Sequence, residues 1–201
     1  KDPQDLDKMK ALVSQSDVLV ENFVPGKMEE MGLGFDVLQS LNPRLLIARI
    51  SGRGQTGPYA PKPGFGTLVE AMSGFAHLNA FPDREPALPP LAMADMYAGI
   101  HGAFGVLAAL RNVVHGDGKG QVVDVALFES FYSTLASEAV KYKATGTANR
   151  RMGNQAINTA PRNIYACADG KFLVLSASVQ SMFENPAQAI GRPELIDDSR
   201  F

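Results

Sequence analysis

The chain has 201 residues, 45% hydrophobic and 20% charged, a balance that excludes a disordered, collagenous or coiled-coil protein. Its 19 basic and 21 acidic residues leave a net charge of −2, so bulk electrostatics gives no reason to expect nucleic acid or an anionic membrane as partner. The single cysteine, Cys167, excludes an intrachain disulfide framework and fits a reducing, cytoplasmic setting.

Leu6, Met9, Leu12 and Val13 have helical spacing and predict a helix over residues 4–16. A short strand follows at Val18-Leu19-Val20. Residues 45–50, Leu-Leu-Ile-Ala-Arg-Ile, form an almost continuous apolar run, the pattern of a strand buried on both faces. Between these strands lie Pro25-Gly26 and short helical pieces at 27–31 and 35–41. Strand, helix, strand predicts a parallel α/β unit. From Ser51 to Pro90 glycine and proline are frequent, and only one short helix near Leu68 to Met72 is expected.

Asp95 to Leu110 reads as a helix rich in small residues, its glycines implying close packing against another backbone. No apolar run reaches the length of a membrane span; the most apolar piece, Phe104 to Leu110, is far too short. Residues 116–120 are a turn, Gln121 to Val125 a third strand, and Leu127 to Lys143 one long helix. Asp169-Gly170 between strand-like runs at 163–167 and 171–176 predicts a hairpin. The polar stretch 145–161 sets the expected organisation: a large domain over 1–145, a linker over 146–160 and the start of a small domain over 161–201. The fold class expected is α/β, a Rossmann-like parallel-sheet domain followed by the start of a smaller α+β domain. The chain opens on Lys1-Asp2 without Met and closes at Phe201 in what reads as mid-structure, so it is taken as an internal piece of a longer protein.

Gly52-Arg53-Gly54-Gln55-Thr56-Gly57 spells the dinucleotide fingerprint as a string. That motif must open a helix whose N-terminus meets a pyrophosphate. Pro58, Pro61 and Pro63 follow at once and stop helix propagation, so a glycine-rich loop after a strand is the better reading. His77, His101 and His115 have no metal-ligand spacing, and no nucleophile elbow or Walker lysine is present, so no metal site is expected. Asp95 follows an apolar approach, Pro89 to Ala94, and opens the small-residue helix. Position alone favours a helix cap. The alternative is a nucleophile: a helix N-terminus favours the ionised carboxylate, and apolar surroundings leave it underhydrated.

Five segments in order resemble the family III CoA-transferases, which include formyl-CoA transferase and the carnitine CoA-transferase group. They are Val20-Glu21-Asn22-Phe23-Val24-Pro25-Gly26, Leu41-Asn42-Pro43-Arg44-Leu45, Gly54-Gln55-Thr56-Gly57-Pro58-Tyr59, Ala94-Asp95 with Gly99, and Gly118-Lys119-Gly120-Gln121-Val122-Val123-Asp124. Each is weak alone, while the ordered set, from Lys1 to about Ser178, is specific. The resemblance implies a longer chain at both ends and an interlocked homodimer. It also implies an acyl-CoA:carboxylate CoA-transferase with an acyl-CoA and a carboxylic acid as partners, the CoA thioester being substrate and no cofactor tightly bound.

In that reading Asp95 attacks the thioester to form a mixed anhydride and then an aspartyl-CoA thioester, in a pocket closed to water. Asn22 and Phe23 match positions near the adenine and pantetheine, and Lys1 a lysine near the CoA phosphates. Lys62 and Phe65 lie on a loop over the site. From the residues alone, Asn22 and Phe23 read equally as a strand-end turn and a core aromatic, and Lys1 and Lys62 as solvated charges. Two departures stand out: Val24 and Glu30 occupy positions where many members have CoA-binding arginines, with Lys27, one turn from Glu30, as a substitute, and the glycine-rich loop of some transferases is absent from residues 145–161, where Asn154 to Ala160 lie. Racemases of the same fold need a histidine in the loop that here reads Gly64-Phe65-Gly66-Thr67, with His77 the nearest alternative. A non-catalytic CoA-binding protein is the reading from another class.

Overall fold

The computed structural model describes residues 2–135 and 137–199, so Lys1, named above as a CoA contact, lies outside the described residues. The chain divides into two units, Lys1–Ala76 with Leu88–Ala148, and His77–Ala87 with Asn149–Phe201. The first unit thus runs on to Ala148, past the large domain's expected end at 145, and residues 77–87 fall in the second.

In the first unit α1 spans Pro3–Val13, with Pro3 at its first position and the Asp2 carboxylate accepting the Gln4 N–H at 2.9 Å. Both features start a helix in sequence order, the proline because its missing donor is an orphan there anyway. Next come β1 (Val18–Glu21), α2 (Lys27–Glu30), α3 (Phe35–Leu41) and β2 (Leu46–Ser51). Further on are α4 (Gly66–Met72), α5 (Phe75–Leu78), α6 (Met93–His115), β3 (Val122–Ala126), α7 (Leu127–Tyr132) and α8 (Glu138–Thr145). The three strands form a parallel sheet in the order β1-β2-β3, with Val18 beside Leu46 and Ile47 beside Val122.

The apolar run in β2 is covered on both faces, as its pattern predicts. Ile47 packs with Val13 of α1, Met28 of α2, Leu38 of α3 and Leu33 from the connection between α2 and α3. Its neighbour Leu46 points the other way, to Ala109 and Val113 of α6. A third cluster joins Val69 of α4, Ala94 and Ala98 of α6, Val125 of β3 and Phe131 of α7. Phe131 is fully buried against Phe75 and Tyr97, with ring centroids 5.0 and 5.9 Å away.

The stretch from Ser51 to Pro90 carries a second short helix, α5, where one was expected, and three further expectations change. First, α6 extends over 23 residues and has the length and apolar composition of a membrane-crossing helix, contrary to the reading that no stretch does. Here one face of it is buried on the sheet through Ala94, Ala98, Gly102, Ala109 and Val113. Second, two of its glycines fit strand side chains and not another backbone: a Cβ added at Gly105 would stand 2.8 Å from Val123 Cγ1, and one at Gly102 3.7 Å from Val125 Cγ2, while one at Gly99 would meet nothing within 4 Å. Third, the single helix expected over 127–143 is broken. The Ser133 and Thr134 hydroxyls donate back to the Ser130 and Phe131 carbonyls at 2.7 Å, the chain tightens into a 3-10 turn at Ser133–Leu135, and α8 starts afresh at Glu138.

The second unit holds the expected hairpin, β4 (Arg162–Ala166) antiparallel to β5 (Phe172–Ser176), with Gly170 at a φ of +80° in its turn. The helix α9 (Gln180–Ala189) follows, outside the elements read from the sequence, with Pro186 inside it.

Candidate active site

Parallel strands deliver their C-terminal ends to one edge of a sheet, where open α/β folds bind ligands. Here a cavity of ≈ 1120 Å³ lies at that edge, lined by residues that follow each strand: Asn22 to Pro25 after β1, Ser51 and Gly52 at the end of β2, and Leu127 after β3. The loop from Ala60 to Thr67 and the stretch from Leu88 to Ala92 complete its wall, with Glu70 and Asp95 on helices. Asn22, Phe23, Lys62, Phe65 and Asp95 all line this one cavity.

Glycines bring the wall together. Gly52 and Gly64 touch backbone to backbone, so that a Cβ on either would overlap the other's Cα. Gly54 takes a φ of +83° beside Asp124, whose carboxylate accepts the Gln55 N–H at 2.9 Å. The fingerprint-like string is therefore a folded loop. After Gly57 the chain turns through Pro58 to Pro61, and the next helix starts only at Gly66.

The turn after β1 is held by charge. Glu21 is buried, with one carboxylate oxygen on Arg49 Nε at 2.6 Å and the other accepting the Phe23 N–H at 2.8 Å. Arg49 also reaches Glu29 at 2.8 Å. Burial opposes the Arg49 charge, but its hydrogen bonds to Glu29 and Glu21 more than offset this and push its pKa up. The hydrogen bond from Arg49 holds the Glu29 carboxyl below its ordinary value of 4.5. Asn22, Phe23 and Val24 are exposed toward the cavity.

Lys62 is the only basic residue among the described residues that line the cavity, and its Nζ sits 4.2 Å from the centre of the Tyr59 ring. Glu30, at one of the two positions where arginine was expected, pairs with Lys27 at 2.6 Å, and Lys27 is not part of the cavity wall. Ser51, which sequence reasoning passed over, is buried at the end of β2, and its Oγ has no hydrogen-bond partner.

Asp95 is the third residue of α6, whose N-cap is Ala92 with no side-chain hydrogen bond. Asp95 is therefore not the cap that its position favoured. Among the described residues nothing hydrogen-bonds its carboxylate. The α6 cap comes instead from Glu70 of α4, a buried carboxylate that accepts the Ala94 N–H at 3.2 Å. Nor is Asp95 enclosed by apolar groups in this chain: it is exposed, because Pro89 to Ala92 line the cavity beside it and do not cover it. Gly66, at the start of α4, lies so close that a Cβ there would stand 2.6 Å from Asp95 Oδ2. No group of three or more His, Cys, Asp or Glu side chains suited to a metal occurs among the described residues.

Fold and site together define a Rossmann-like α/β protein with an uncommitted carboxylate at the head of a helix, facing a cavity large enough for a nucleotide-sized ligand. The chain belongs to CoA-transferase family III, whose profile matches residues 1–201. It is 44% identical over 193 residues to the succinyl-CoA–D-citramalate CoA-transferase of Chloroflexus aurantiacus, covering 96% of this chain and 48% of that protein. With the succinate–glutarate CoA-transferase of Agrobacterium fabrum it shares 34% over 201 residues, 100% of this chain and 50% of the relative. A crystal structure of a CaiB/BaiF family protein from Brucella suis superposes with a TM-score of 0.85 at 34% identity, covering all of this chain and 52% of that one. The chain thus spans about half the length of the relatives it matches.

Proposed function

We propose that this chain supplies the nucleophile and part of the CoA cleft of an acyl-CoA:carboxylate CoA-transferase. The observation that carries the reading is the Asp95 carboxylate, exposed to the cavity and without a hydrogen-bond partner while a different carboxylate caps its helix. A carboxylate suits this transfer because an anhydride keeps the acyl group activated. Asp95 attacks the thioester carbonyl, the C–S bond breaks, and CoA leaves as thiolate. The thiolate attacks the aspartyl carbonyl, giving an aspartyl-CoA thioester and releasing the donor acid. The acceptor carboxylate then attacks that thioester, displacing the thiolate and forming a second anhydride with Asp95. The thiolate closes the cycle by attacking the acceptor's acyl carbonyl, which yields the new acyl-CoA and restores Asp95.

The names of the two relatives contain succinyl-CoA or succinate on one side and a five-carbon dicarboxylic acid on the other. A succinyl-CoA donor and a dicarboxylic acceptor are the first substrates to try. Asn22, Phe23 and Phe65 offer surface for the adenine and pantetheine, and Lys62 a charge for a phosphate. The racemase reading needs a second base, and no histidine is among the cavity-lining residues. In its full length the protein acts as a homodimer, interlocked as the resemblance implies.

The test uses the full-length protein with succinyl-CoA and hydroxylamine, followed by peptide mass spectrometry. A hydroxamate at Asp95 is expected, together with loss of at least about 1,000-fold in kcat for a folded Asp95→Ala, since the nucleophile itself is gone. Near-parental transfer by that variant overturns the reading.

A further inference from the structure

Glu70 is an oddity of the wall. It is a carboxylate only 4% exposed, on an otherwise apolar helical turn, and the covalent route described above has no task for it. Buried carboxylates need partners, because an unpaired one is costly. Its partner is the Ala94 N–H, in the first turn of α6 and directly before Asp95. The helix α6 has no cap of its own, since Ala92 offers no side-chain acceptor. The usual remedy for an orphan first-turn donor is a nearby Asp, Ser, Thr or Asn. Asp95 is the acidic residue in that turn, and it is not used.

Gly66 and Glu70 are one helical turn apart on α4 and so share a face. Gly66 presents bare backbone to the Asp95 carboxylate, and Glu70 reaches the Ala94 N–H. One face of α4 thus both makes room for the carboxylate and anchors the backbone it hangs from.

We propose that Glu70 is a positioning residue: by capping α6 through Ala94 it fixes the helix start and leaves the Asp95 carboxylate free for covalent chemistry. The proposal rests on the transferase reading and deepens it. What matters is the acceptor oxygen, not the charge, so Gln should serve in its place.

The experiment compares full-length Glu70→Met, which keeps the volume and removes the acceptor, with Glu70→Gln, which keeps an acceptor. Amide hydrogen exchange of a peptide spanning residues 93–96 is read alongside kcat and KM for succinyl-CoA. For Glu70→Met exchange should rise about fivefold, the worth of a lost cap. Its kcat should fall about tenfold or more with KM within about threefold, as for a displaced reactive group. Glu70→Gln should stay within about threefold of the parent on every readout.

Parental exchange and kcat in a folded Glu70→Met overturn the proposal. So does a Glu70→Gln as impaired as Glu70→Met, which would make the charge essential. Glu70→Ala replaces a Met variant that does not fold; if neither folds while Glu70→Gln does, Glu70 serves the fold alone and the proposal falls. Failure of the transferase reading shows separately, as an Asp95→Ala variant that transfers as well as the parent.

Discussion

Lys62 has one partner in the structure and, in the proposed function, a second. Its ammonium rests over Tyr59, a contact of modest strength at an exposed site, and its side chain borders the cavity with no other basic neighbour among the lining residues. A phosphate of CoA outcompetes a ring face for an ammonium, because the ion pair is charge-assisted on both sides. Such an exposed pair is worth about 1 kcal/mol. Lys62→Ala should therefore raise KM for acyl-CoA about fivefold and leave kcat within about twofold. Steady-state kinetics at low and high salt checks this, since screening shrinks the difference. A fall in kcat at unchanged KM would assign Lys62 to the chemistry instead. At this scale the sequence revealed which residues gather and not what they do. Asn22, Phe23 and Asp95 came from ordered motifs, and Lys62 and Phe65 from the loop that the resemblance places over the site. Physics alone made Asp95 a cap, and what displaces it is Glu70, 24 positions from the amide it accepts, a contact that only the folded chain reveals. Ser51 gave no signal at all, being a serine after a strand.

Elements hold these residues through two devices of opposite character. One is steric. Gly52 follows β2 directly and meets Gly64, and because backbone meets backbone, no flexible side chain can yield to an added methyl. Gly52→Ala should destabilise the protein by about 2–3 kcal/mol, as for an overpacked site. That lowers Tm by several degrees in a calorimetric scan, with activity lost because the Ala60–Thr67 wall moves. The other device is electrostatic. Arg49 draws the Glu29 carboxyl below 4.5, so the folded state favours the ionised form. Its contribution is fully present above the ordinary glutamate value and disappears as pH falls through the lowered folded one. The unfolding free energy from urea titrations should drop between about pH 5 and pH 3, by less than about 1 kcal/mol from a half-exposed pair. Glu29→Gln should flatten that limb, and an equally steep limb in the variant would place the acid sensitivity elsewhere. Periodicity found β2 because both its faces are covered, and found the β4–β5 turn through Asp169-Gly170. It failed where short-range side-chain hydrogen bonds intervene, at Ser133 and Thr134, and at α9, where Pro186 looks like a helix breaker.

In the whole molecule, α6 poses the largest question. Its inner face is the small-residue stripe buried on the sheet. Its outer face carries Met96, Ile100, Phe104, Leu107 and Val114, spaced to form one apolar stripe, with Phe104 74% exposed. Soluble surfaces rarely leave such a run uncovered. The chain spans about half the length of the relatives it matches, so in them as much polypeptide again is available to cover the equivalent face. Phe104→Asp in the full-length protein should then place a charge in a covered apolar setting, at a cost of about 3 kcal/mol or more. Tm should fall by about 5 °C or more. Light scattering separates the two ways of covering it. A drop from dimer to monomer mass puts the stripe between subunits, as an interlocked homodimer allows. A lower Tm at unchanged mass puts it under the rest of the same chain. An unchanged Tm and mass would mean that the stripe faces water there too, and that α6 is as exposed as it is in this chain.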